Sequence, residues 1–129
     1  MRAIDTNVVV RFLTGDDPAQ AKAARKAIEA GEILVPITVW LESEWVLRSG
    51  YSFTPQQIAA GFLGLAGLPT VATDEPQVLA AAIDWLREGM DFADALHLAK
   101  AQGCEAFLSF DRKLAKAARG RSAVRVGLL

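Results

Sequence analysis

Short apolar runs alternate along the chain with longer stretches whose apolar residues recur at helical spacing. Arg2 to Ile4, Ile33 to Val35, Thr70 to Ala72, Ala106 to Ser109 and Ala123 to Val126 read as strands. Between them the spacing predicts helices over Asn7 to Leu13, Asp17 to Ala30, Thr38 to Ser49, Thr54 to Ala66, Asp74 to Glu88, Phe92 to Gln102 and Arg112 to Ala118. Asp17-Pro18-Ala19-Gln20, Thr54-Pro55-Gln56-Gln57 and Asp74-Glu75-Pro76-Gln77 share one start signal. In each, a capping oxygen takes a first-turn N–H, and proline fills a position whose own N–H has no helical partner. A glutamine follows that can reach back to the cap. Gly31 and Gly103 are stop signals.

Short strands separated by helices predict βαβ units with right-handed crossovers. The expected fold is α/β, a three-layer α/β/α sandwich around a mainly parallel sheet of four to five short strands. No linker, repeat or shift in composition interrupts residues 1–129, which read as a single domain. In such sheets the ligand crevice lies beyond the carboxyl ends of the strands, so the polar residues there matter most.

Composition narrows the class. With 129 residues, 52% hydrophobic and 22% charged, the chain suits a globular domain and excludes a disordered one. One cysteine, Cys104, permits no internal disulfide, and with His97 it is too little for a zinc site. A reducing cytoplasm is the expected location. Met1 to Asp5 lacks a basic-then-apolar leader, and the longest apolar run, Ile58 to Leu68, is too short to span a bilayer. The net charge of −1 hides an asymmetry. All 15 acidic residues precede Arg112, whereas the segment from Arg112 to Leu129 carries six basic residues and no acid. A cationic end beside an acidic centre suits a polyanionic partner.

Five acids stand out, and four of them belong at or near the carboxyl edge of the sheet, where the crevice is expected. Asp5 ends the first strand, Asp111 follows the fourth, Glu42 lies early in the helix after the second, and Asp91 and Asp94 open the helix before the fourth. Singly, Asp5, Asp91 and Asp111 read equally well as helix caps, and Glu42 as a charge answering a helix dipole. Together they pose a charge problem, since two carboxylates ~4 Å apart repel by about 4 kcal/mol at an effective dielectric near 20. A cation, protonation or separation must resolve it. Oxygen ligands without histidine or cysteine select a hard ion, Mg2+ or Mn2+. Such an ion lowers the pKa of bound water and offsets charge developing on a phosphodiester. A nucleophilic serine or cysteine is not needed, and Ser43 and Cys104 lack an evident base.

Four segments in order carry a family resemblance: Ile4-Asp5-Thr6-Asn7, Leu41-Glu42-Ser43-Glu44-Trp45-Val46-Leu47, Asp91-Phe92-Ala93-Asp94-Ala95-Leu96-His97-Leu98-Ala99, and Phe107-Leu108-Ser109-Phe110-Asp111. They resemble the PIN-domain family over nearly the whole chain, in order and spacing most like its VapC-type toxins. The resemblance implies a magnesium- or manganese-dependent endoribonuclease, the toxin of a toxin–antitoxin pair, inhibited by a small antitoxin protein and assembled as a homodimer. It implies Asp5, Glu42, Asp94 and Asp111 as the acidic metal set, with Asp5 and Asp94 the firmest ligands. Asn7 and Ser109 would orient carboxylates or water. Ser109 stands where the family often has threonine, keeping the hydroxyl. The family's acid before an aromatic-Val-Leu run selects Glu42 over Glu44, and Asp91 is a helix cap or an outer acid.

Other features have plainer readings. His97 is expected to be structural or partly buried, and Trp40, Trp45 and Trp85 to make core or subunit contacts. Gly61, Gly64 and Gly67 permit close helix approach, internally or at a dimer seam. Arg112, Lys113, Lys116, Arg119, Arg121, Arg125 and Arg11 are candidates for RNA phosphates. An RNA-maturing nuclease without an antitoxin is the nearest alternative. A phosphorelay receiver would need an aspartate after the third strand and a lysine after the fifth; a haloacid-type phosphatase would need an acid at Asn7. An inactive binding module sits poorly with the intact acidic set.

Overall fold

A computed structural model describes Met1–Leu129. The chain gathers into two compact units, Met1–Pro76 and Gln77–Leu129. The first holds β1 (Arg2–Ala3), α1 (Thr6–Thr14), α2 (Pro18–Glu29), β2 (Ile33–Val35), α3 (Ile37–Tyr51), α4 (Pro55–Ala66) and β3 (Val71–Thr73). Its strands form one parallel sheet in the order β1-β2-β3, with Arg2 opposite Ile33 and Val35 opposite Thr73. Ladders this short contribute few hydrogen bonds, so side-chain packing must hold them. Val9, Ile28, Val35, Leu47 and Phe62 are fully buried. Trp40 joins them, donating through Nε1 to the Val35 carbonyl at 3.1 Å and meeting Phe62 edge-on, ring centroids 5.0 Å apart. Its buried N–H is thereby satisfied, as a core tryptophan requires.

The helix starts show which local signals were obeyed. Thr54 and Gln57 form the full reciprocal cap of α4, at 3.1 and 2.8 Å. Asp17 caps α2 through the Gln20 N–H, but the Gln20 side chain accepts from Arg11 Nε at 2.7 Å instead of reaching back. The charge-assisted bond to a guanidinium outcompetes a neutral one. Asp74 turns its carboxylate to another helix, accepting from the Ile37 N–H at 2.9 Å. That supplies α3, whose own capping position, Pro36, offers no side-chain acceptor. Of Gly61 and Gly64 on α4 and Gly67 at its C-cap, only Gly61 faces a neighbouring helix, a Cβ there falling 3.4 Å from Leu13 of α1. Gly64 borders open space.

In the second unit α5 (Pro76–Arg87), whose first residue closes the first unit, is followed by α6 (Phe92–Lys100), β4 (Ala106–Ser109), α7 (Arg112–Ala118) and β5 (Arg125–Leu128). β4 and β5 pair in parallel, Ala106 opposite Arg125 and Ser109 opposite Leu128. Leu79, Ala82, Ile83 and Leu86 on α5, and Phe92, Ala95, Leu96 and Ala99 on α6, bury stripes of helical period. β5 begins two residues later than the apolar pattern predicts. The Ser122 hydroxyl binds both the N–H and the carbonyl of Val124, at 3.1 and 2.9 Å, and this local turn keeps residue 124 out of the ladder.

The α/β class and the five short parallel strands are those expected. Their hydrogen bonding forms two ladders, of three strands and of two. No helix is long and apolar enough to cross a membrane.

Candidate functional site

In the first unit one threonine serves two acids. Asp5 sits just past β1 and caps α1, its Oδ1 accepting from the Thr6 N–H at 2.7 Å. The Thr6 hydroxyl, on a buried residue, donates to Oε1 of Glu42 in the second turn of α3. Backbone and side chain of Thr6 thus fix the two carboxylates in one chain of contacts. Asp5 and Glu42 themselves are exposed and open to a ligand. Sequence reasoning left Thr6 without a role, because nothing local marks a partner in another helix.

The neighbours of Glu42 are taken up otherwise. Glu44 is buried and paired with Arg48 one turn on, at 2.8 Å. The Ser43 hydroxyl is buried without a hydrogen-bond partner and has no base beside it. Asn7 is exposed on α1 and lines a cavity of about 460 Å3 with Ile4, Val8, Arg11 and the α2 alanines 23, 24 and 27. Arg11 is not available for phosphates. It donates to Asp16 at 3.0 and 3.2 Å, to Tyr51 at 2.9 Å and to Gln20, while Tyr51 donates to Asp16 at 2.6 Å. These bonds hold the Arg11 guanidinium above its ordinary pKa, the Tyr51 bond contributing most, and hold the Asp16 carboxyl below its own. Arg11 clasps the α1–α2 turn to the end of α3.

In the second unit Asp91 caps α6, accepting from the Asp94 N–H at 3.0 Å. Asp111 follows β4 and caps α7 through the Leu114 N–H at 3.1 Å, and its own N–H donates to the Ser109 hydroxyl at 2.9 Å. Ser109 therefore orients the Asp111 segment directly. Asp94, half-buried in the first turn of α6, is the acid under strain. Burial pushes its carboxyl above the ordinary value, and the charges of Asp91 and Asp111 push it further. Only His97 opposes them. The cap reading thus holds for Asp5, Asp91 and Asp111, yet it does not remove the repulsion on Asp94.

His97 is exposed, so of the expected structural or partly buried residue the burial is not found. The buried stripe of α6 runs through Leu96 and Ala99, which leaves position 97 on the solvent side. Trp40 and Trp85 are core residues as expected, but Trp45 is 58% exposed. Of the cationic end, Arg121 is paired with Glu88. Arg112, Lys113, Lys116, Arg119 and Arg125 are all exposed.

Within neither unit do three or more His, Cys, Asp or Glu side chains close on a common point that would hold a metal ion. The donor chemistry nonetheless fits a hard divalent ion. The acids offer oxygen only, and crowded carboxylates around Asp94 are what such an ion neutralises. Asp5 just past β1 and Asp111 just past β4 stand where α/β sheets place their ligand crevices, beyond the carboxyl ends of the strands. The PIN-domain family model matches residues 3–120, and the chain belongs to the PIN-domain family. PIN domains are generally nucleases that use divalent metal ions and act on nucleic acid. No curated protein matches the chain significantly.

Proposed function

We propose that the chain is a magnesium-dependent endoribonuclease, with manganese as a substitute ion, and that it is the toxin of a toxin–antitoxin pair. Asp5, Glu42, Asp94 and Asp111 hold the ion in this reading, and the family match over residues 3–120 spans all four. The observation that carries it is the family match over residues 3–120, and the setting of Asp94, half-buried with the charges of Asp91 and Asp111 against it, agrees with it. A nuclease ion supplies the positive charge that this setting lacks, and offsets negative charge growing on the phosphodiester. Thr6 and Ser109 hold Glu42 and the Asp111 segment in place. Asn7, exposed two residues after Asp5, orients water or carboxylate. The toxin role, the antitoxin partner and the homodimer rest on the resemblance to VapC-type toxins, and the cytoplasmic location on the lone cysteine.

The test compares cleavage of a single-stranded RNA by wild type and Asp94→Asn in magnesium, manganese or chelator. Cleavage by wild type in either metal, and none by the mutant or in chelator, is the expected result. Equal cleavage by Asp94→Asn, or full activity in chelator, would sink the metal mechanism. Expression alone should arrest growth if the chain is a toxin. Unimpaired growth with active enzyme would point to an RNA-maturing role instead.

A further inference from the structure

We propose that Phe110 is a stacking platform for a nucleobase of single-stranded RNA, set beside Asp111; this rests on the reading that the chain acts on RNA. Phe110 is 80% exposed, the largest exposure among the bulky apolar side chains. Leaving a phenylalanine in water forgoes the burial that stabilises most of its kind.

Its backbone setting is fixed on both sides. The preceding Ser109 is held through its carbonyl by the Leu129 N–H at 2.9 Å and through its hydroxyl by the Asp111 N–H at 2.9 Å. The following Asp111 is held by its cap on α7. A ring presented from such a frame gives up little backbone freedom when a base stacks on it.

Charge decides the kind of partner. Arg112, Lys113 and Lys116 follow at once on α7, exposed and without an acid anywhere in their segment. An aromatic ring next to unpaired cations matches the alternation of base and phosphate along a single strand. The other exposed aromatic, Trp45, shares its helix only with Arg48, whose charge is already paired with Glu44. Phe110 is the one that a polyanion's charge would bring a strand to.

The test measures binding of fluorescein-labelled oligoadenylate to the full chain in chelator, where no cleavage occurs. Phe110→Ala should raise Kd roughly tenfold, the loss of one base–aromatic stack, and Phe110→Trp should restore it. The dependence of Kd on salt should stay as in wild type, because no cation is removed. An abasic oligomer should bind wild type and Phe110→Ala alike. Equal oligoadenylate binding by Phe110→Ala and wild type would overturn the proposal. So would a fall in sedimenting mass in Phe110→Ala without a change in Kd, which would make the ring a protein contact. Because binding is read without hydrolysis, failure here leaves the Asp94→Asn cleavage test standing, and failure of that test leaves the binding result readable.

Discussion

The hydroxyl of Thr6 donates to the carboxylate of Glu42 between residues 36 apart in sequence, joining the first turn of α1 to the second turn of α3. The N–H of the same threonine is held by Asp5 at 2.7 Å. A residue with no chemistry of its own therefore holds two acids, Glu42 through its side chain and Asp5 through its backbone. Thr6→Val removes the donor while keeping the shape. It should lower stability by about 1 kcal/mol, because exposed Glu42 can regain water in compensation. RNA cleavage should fall as far as in Glu42→Gln, and Thr6→Ser should retain it. Unchanged melting and cleavage in Thr6→Val would show that the bond positions nothing.

Asp94 gives a prediction that needs no substrate. Its folded carboxyl titrates above the ordinary value, so the ionised form weighs against folding at every pH above that raised value. The penalty shrinks as pH falls through the folded pKa and is gone below the unfolded value of about 3.9. Asp94→Asn should therefore melt higher than wild type at neutral pH in chelator, and the gap should close in acid. Adding magnesium should raise the melting temperature of wild type more than that of the mutant. A mutant that melts lower in chelator would show that Asp94 is held by favourable contacts instead.

The clasp around Arg11 has the opposite sign. The Asp16 carboxyl lies below its ordinary value, so its contribution is complete above the unfolded pKa and is lost as pH falls through the folded one. Asp16→Asn should flatten the acid limb of the stability profile measured by urea denaturation. Arg11→Ala should destabilise the chain and leave the salt dependence of RNA binding unchanged, since this guanidinium already has its partners. A reduced salt slope in Arg11→Ala would return it to the phosphate contacts.

Ser43 offers a gain. A buried hydroxyl without a partner costs more than a methyl group in the same place. Ser43→Ala should stabilise the fold by about 1 kcal/mol, read as a higher urea midpoint at unchanged slope. A clear loss of stability would reveal a hydrogen bond made by that hydroxyl in solution.

Trp45 can be followed by its light. Trp40 is fully buried and Trp85 nearly so, which leaves Trp45 as the indole open to solvent. Acrylamide quenching of the native chain should be mostly abolished in Trp45→Phe and retained in Trp85→Phe. Equal quenching in Trp45→Phe and wild type would place that indole in a contact between copies.

Local signals determined much of this protein. Proline, capping oxygen and helical period placed the helices, because each acts within a turn or two of chain. Thr54 with Gln57 did what their spacing predicts. The same locality made Asp5, Asp91 and Asp111 recognisable as strand-end or helix-start acids, and the four ordered motifs disclosed the family. Tertiary structure decided whatever depends on a partner distant in sequence. It gave Asp74 to Ile37, Gln20 to Arg11 and Thr6 to Glu42, and it left His97 and Trp45 in solvent. A side chain's hydrogen bond goes to whichever group packing brings within about 3 Å. Periodicity along the chain records which face is buried, and it carries no record of what lies across from it.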